Sequence, residues 1–162
     1  MTRGRLTERL AAAKRAAYRD GRPRGLMRLL HALDRPLYGT RLAPHRTAVL
    51  RVRGRRSGRM LSTPVAIAVW RGRGHLVSML GPAADWVRNV RAADGVAVLR
   101  HRGRDTPVRL HEVPVAERAE ILRRYATIAP AARPHLGLGP RDALAAFARI
   151  APGHPVFRIE RR

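Results

Sequence analysis

Between Thr47 and Val113 the chain is cut into short runs by turns of arginine and glycine, and this limits the fold more than any other feature. The turns are Arg53-Gly54-Arg55-Arg56-Ser57-Gly58, Arg71-Gly72-Arg73-Gly74 and Arg102-Gly103-Arg104. The runs between them have the period of two expected of strands. Thr47–Arg53 reads as a first strand, with Val49, Leu50 and Val52 as its inward candidates. Leu61–Trp70 is a second, and Pro64 within it predicts an edge or a bulge, since proline cannot donate to a ladder. His75–Leu80 is a third. Gly95–Arg100 and Pro107–Val113 form a hairpin about residues 102–104. No βαβ repetition appears.

The flanks read differently. Residues 84–93 predict a short helix burying Trp86, Val87 and Val90. Residues 115–128 and 142–150 are helical, 130–140 is irregular, and His154–Glu160 is a last strand. Residues 5–18 read as a helix with little apolar depth, broken at Asp20-Gly21-Arg22-Pro23. Residues 24–33 place Leu26, Met27, Leu29, Leu30 and Leu33 near helical spacing, either on the domain's own core or as an interfacial membrane helix. We expect a basic helical extension over residues 1–23 and one domain over residues 24–162. About six short strands with peripheral helices predict a small antiparallel barrel or α+β domain, mainly β, and not a doubly wound sheet.

At 162 residues the chain can bury roughly two-thirds of its unfolded surface, enough for a core without staples. It has no cysteine, which excludes disulfides, thiolate chemistry and cysteine-ligated zinc. The formal charge is +23, which favours polyanions: nucleic acid, anionic lipid or a phosphorylated ligand. Lys14 is the sole lysine among 34 basic residues. That imbalance also fits a coding bias, with many arginines simply solvated. Arginine nonetheless binds phosphate bidentately, as lysine cannot. No apolar run approaches the roughly 20 residues of a membrane span, and the N-terminus lacks a signal-peptide core. A cytoplasmic protein is expected, with peripheral contact at the inner face of the membrane left open, along with oligomeric state.

Several chemistries are absent. The seven histidines form no metal-type pair. Ser57, Ser62 and Ser78 are the only serines, and none sits in a nucleophile elbow. No dinucleotide or Walker fingerprint occurs. The seven aromatics do not interleave with arginines as an RNA-binding sheet requires, so specific nucleic-acid binding is not expected. One feature remains. Gly54 and Gly58 permit positive φ and close backbone approach. Between them Arg55, Arg56 and Ser57 offer donors that can converge on one phosphate.

Gly54–Val65 (GRRSGRMLSTPV), Leu76–Val98 (LVSMLGPAADWVRNVRAADGVAV), the helix over 113–130 and the terminal PVFRIE resemble the deazaflavin-dependent nitroreductase family. The likeness covers residues 24–160. Its strongest parts are the glycine–arginine turn with a proline six residues on, and the Trp86-x-x-Asn89 helix. The resemblance implies a split β-barrel like that of flavin-binding oxidases. It implies coenzyme F-420, a deazaflavin with a phosphate and an oligoglutamate tail, and hydride transfer to a quinone or nitro compound. It implies that Gly54, Arg55, Arg56, Ser57 and Gly58 hold the phosphate or tail. Ser62, Thr63 and Pro64 would lie along the ring, with Ser78 and Gly81 on the next strand end. Trp86 and Asn89 would brace the loop over the cofactor, or serve as core anchor and helix hydrogen-bonder. Ser78 would hydrogen-bond the acceptor as charge develops.

The chain departs from the family pattern at Leu61, where an arginine is usual and Arg59 can substitute. It departs at Met79, where a lysine is usual. Residues 129–135 lack the family's pocket tyrosines and keep only His135 as a polar candidate. FMN in the same barrel is the alternative cofactor. A non-catalytic basic module for nucleic acid or anionic membrane is the alternative function.

Overall fold

A computed structural model describes residues 46–162, together with the backbone of Tyr18–Arg19 and Arg22–Pro23, which pair antiparallel. The helices expected over residues 5–18 and 24–33 lie outside the described residues, apart from Tyr18, which pairs as a strand. So does the boundary at residue 23.

The strands are β1 (Thr47–Arg53), β2 (Met60–Trp70), β3 (Arg73–Val77), β4 (Val96–His101), β5 (Arg104–Glu112) and β6 (Val156–Arg161). Helix α1 (Asp85–Ala92) follows β3. Helices α2 (Arg118–Ile128), α3 (Arg133–Leu136) and α4 (Leu144–Ile150) separate β5 from β6. The strands close into one antiparallel barrel in the order β1-β2-β3-β6-β5-β4, with β4 returning to β1 through Leu50↔Leu99 and its neighbours.

Two of the three arginine–glycine turns are two-residue hairpins. Arg71 (φ 48°) with Gly72 (φ 73°), and Arg102 (φ 50°) with Gly103 (φ 79°), are both left-handed. Two positive-φ residues in succession match the right-handed twist of the flanking strands. The first hairpin takes only residues 71–72. The ladder therefore starts at Arg73, two residues before the expected strand, and ends at Val77, so Ser78–Leu80 fall outside it.

Ala48, Leu50, Val52, Leu99, Leu110 and Phe157 fill the barrel, and Val87 and Val90 of α1, with Ala84 just before it, close one end. Alternation puts Val49 on the outer face, although it is buried there at 6% exposure. The sequence reading had grouped it with Leu50 and Val52, and pairing register separates them. Trp86 is half-buried rather than buried, its ring 5.5 Å from that of Phe157. A second core forms outside the barrel, where Ile121, Leu122 and Tyr125 of α2 and Phe147 of α4 pack on Ala68 and Val77. Burial pushes the Tyr125 hydroxyl up to about 12. Each fully buried aliphatic or aromatic side chain contributes roughly 1.5–3 kcal/mol, so the barrel and its outer layer hold each other.

Candidate functional site

The third arginine–glycine turn, between β1 and β2, is wider. Gly54 N–H donates to Arg59 O (2.8 Å), and Gly58 N–H donates to Gly54 O (2.8 Å). Ser57 Oγ accepts from Arg59 N–H (3.3 Å). A Cβ on Gly54 would lie 2.9 Å from both Leu61 Cδ1 and Ser57 Oγ, so a larger residue there would push these side chains aside. Gly58 has φ 66° and faces open space. Arg56, Ser57 and Arg59 are exposed. Among the described residues, the Arg56 and Arg59 guanidiniums and the amides of Arg56 and Ser57 have no hydrogen-bond partner.

Arg55 behaves otherwise. Its backbone N–H (3.2 Å) and Nη1 (2.8 Å) both donate to Asn89 Oδ1. Its Nη2 lies 3.2 Å from Asp85 Oδ1. The turn is thus tied to α1 through Asn89, which is 2% exposed. Arg55 was grouped with the phosphate-holding residues, but its guanidinium is engaged inside the protein. Asp85 went unnoticed in the sequence, where it is simply an acid in the first turn of a predicted helix.

Beyond the turn, residues 60–66 of β2 pair with β1 only, and β3 joins β2 from Ile67 onward. Pro64 therefore lies beside an open edge, where its missing N–H costs no ladder bond. Residues 60–66 thus leave one edge of β2 without a neighbouring strand, although the ladders close the barrel elsewhere. Ser62, Thr63 and Pro64 all lie along it, half-buried. Register puts Ser62 and Pro64 on the outer face and Thr63 on the inner one, opposite Leu50. Their backbone faces one surface and their side chains do not. Met60 and Leu61 are 46% and 43% exposed beside the turn, an apolar lip that pattern reading did not single out.

Ser78 is 1% exposed. Its Oγ donates to Gly81 O (2.7 Å), and its backbone N–H donates to Pro155 O (2.9 Å). His154 Nδ1 donates to Ser78 O (3.1 Å), and burial lowers the His154 pKa. Gly81 has φ 80°, and a Cβ there would meet Gly153 O at 3.2 Å. Ser78 and Gly81 therefore close the turn that leads into α1. The one Ser78 hydroxyl hydrogen is thus engaged by Gly81 O. Met79 is half-buried against the outer core, and His135 is likewise half-buried.

The far end of α1 is fixed through Glu112. Arg91 Nε (2.9 Å) and Nη2 (2.8 Å) donate to its two carboxylate oxygens, and Arg118 Nη2 donates to Oε1 (3.1 Å). Arg118 is buried and also donates to Val113 O (2.8 Å) and Ala151 O (3.3 Å). Nothing in the sequence pairs these distant residues. Hydrogen bonds from Arg91 hold the Glu112 carboxyl below the usual carboxylate range. Partial burial opposes them, and the Arg91 and Arg118 charges add to them. A depressed folded pKa gives stability that is fully present above the unfolded pKa and lost as pH falls through the folded one. The stability gap between wild type and Glu112→Gln should be widest near neutrality and close in acid. Thermal melts across the pH range read it, and a gap independent of pH would contradict the assignment.

The donors at the turn suit an anion, and the open edge of β2 suits a flat ring with amide-like groups. A six-stranded antiparallel barrel with such a turn beside an open strand edge is a split-barrel architecture. Solved structures agree on the fold. An F420-H2 dependent reductase (FDR-A) is similar at 18% identity over 71% of this chain and 94% of its own, with a TM-score of 0.51. A chain described as a domain-swapped dimer is similar at 18% identity over 82% and 96%, with a TM-score of 0.53. An Agrobacterium tumefaciens protein of unknown function is similar at 17% identity over 78% and 52%, with a TM-score of 0.52. No curated protein matches. The profile of the F420H(2)-dependent quinone reductase family matches residues 27–134. The chain belongs to that family and is an F420-dependent reductase.

Proposed function

We propose that the protein passes a hydride from reduced coenzyme F-420 to a quinone, with nitro compounds as a second class of acceptor. The observation that carries this reading is the adjacency of the Gly54–Gly58 turn to the open edge of β2. One site offers unpartnered guanidiniums and amides, and the adjoining one offers a strand edge for a ring. When bound, the coenzyme supplies the hydride. Gly54, Arg56, Ser57, Gly58 and Arg59 hold its phosphate and tail, with guanidinium and backbone donors meeting negative charge. The backbone of Ser62–Pro64 lies along its ring. The Met60–Leu61 lip keeps water from that ring and gives an apolar acceptor a surface. A reduced quinone takes its remaining proton from water, so no side-chain acid is required.

Among the described residues no helix is long and apolar enough to cross a membrane. We place the reductase in the cytoplasm, with no specific nucleic-acid partner. The test is a titration of the purified protein with F-420, FMN and duplex DNA at about 0.15 M salt. Anaerobic turnover of the reduced coenzyme with a soluble quinone and a nitroaromatic follows. F-420 binding with quinone turnover is the supporting result. Tight DNA binding with no F-420 binding, or binding of FMN alone, overturns the proposal.

A further inference from the structure

The arginines of the Gly54–Gly58 turn divide into two kinds. Arg56 and Arg59 reach solvent with no partner among the described residues, while Arg55 folds back onto α1. Both the amide and the guanidinium of Arg55 converge on a single atom, Asn89 Oδ1. A carbonyl oxygen has two lone pairs, and these two donors fill them. That oxygen is itself immobile. Asn89 is 2% exposed, and Val87 and Val90 on either side are locked into the barrel end. The C-terminal end of α1 is held by Arg91 on Glu112 and by Gly95 N–H on Val90 O (2.9 Å). The turn thus leans on a fixed strut.

We infer that Asn89 is a positioning residue for the anion-binding turn, acting through Arg55, and that Arg55 serves the turn's backbone rather than the ligand. This rests on the deazaflavin reading of the site. The physical reason is preorganisation. A loop already held in its binding geometry loses less freedom when the ligand arrives. Residues 55–58 form one irregular turn with few backbone bonds, so without the tie the amides of Arg56 and Ser57 would have to be ordered by the anion. The Asp85 carboxylate supports Arg55 from the exposed side and is secondary to Asn89.

The test compares Asn89→Ala, Asn89→Asp, Arg55→Leu and the control Arg88→Ala, an exposed residue on the same helix. Two quantities are read: amide hydrogen exchange at residues 54–59 in the ligand-free protein, and the Kd for oxidised F-420. Asn89→Ala and Arg55→Leu should each speed exchange in the turn and weaken coenzyme binding about tenfold, the equivalent of one charge-assisted hydrogen bond. Asn89→Asp keeps an acceptor and should stay near wild type, as should Arg88→Ala. Unchanged exchange in Arg55→Leu overturns the inference, whether or not Asn89→Ala folds. Weakened binding without faster exchange would make Arg55 a direct ligand contact and overturn it too. If wild type fails to bind F-420, the proposed function falls, and the exchange rates alone decide the strut.

Discussion

Replacing Arg56 and Arg59 together with alanine should weaken F-420 binding about 100-fold while leaving the melting temperature unchanged. Both side chains are exposed, and neither holds a partner among the described residues, so their removal costs the fold nothing. Each charge-assisted bond to a phosphate or carboxylate contributes about 1.5–3 kcal/mol, and the low end is taken for each arginine. Two losses near 1.5 kcal/mol make the hundredfold change, and either single variant should show about tenfold. Fluorescence titration at fixed ionic strength measures it. A double variant within about twofold of wild type would move the anion site away from this turn. The contrast with Arg55→Leu is informative, because only Arg55 should also alter hydrogen exchange in the unliganded turn.

The largest effect on stability is expected at Gly95. Gly95 joins α1 to β4 with φ 77°, and a Cβ there would sit 2.3 Å from the Leu110 carbonyl oxygen. That oxygen belongs to the backbone of β5 and cannot swing aside. Gly95 O also accepts from Leu110 N–H (2.9 Å), so any shift breaks the seam between the strands. Left-handed strain and overpacking each cost about 1–3 kcal/mol. Gly95→Ala should therefore lose about 3 kcal/mol or more, on the order of 10 °C in melting temperature. Gly58→Ala is the control. Its φ of 66° is similar, but nothing lies within 4 Å of the added carbon, so only the backbone term of about 1–2 kcal/mol remains. Equal shifts for the two variants would show that φ alone matters. Because α1 carries Asn89, surviving Gly95→Ala protein should also bind the coenzyme less tightly.

Strand count and hairpin positions were legible because their causes are local. Alternation and glycine–arginine turns act within a few residues, and Thr47–Arg53 was read to the residue. The third strand starts two residues before the expected His75 because the tightness of the Arg71-Gly72 hairpin depends on both residues being left-handed. Val49 was put inside because apolar character does not say which face a residue takes. Pairing against Pro64 and Arg100 does. At the site, the turn was legible as a basic glycine turn with donors suited to an anion, and the family resemblance suggested which anion. The division of labour within it was not. Arg55 and Arg56 are neighbours of identical chemistry, and only the approach of Asn89 and Asp85, some 30 residues on, separates them. Ser78 was read as a catalytic contact for a similar reason. Its burial and its bond to Gly81 are set by the chain passing through Pro155 on the other side.

The sequence by itself determined the alternating strands, the turns that separate them, the absence of any thiol, and a basic glycine turn suited to phosphate. These depend on residue type and spacing over a few positions. The tertiary structure decided which arginine stays free, where β2 keeps an open edge, and which helix supports the turn. Each of these depends on contacts between segments that meet only when the barrel closes.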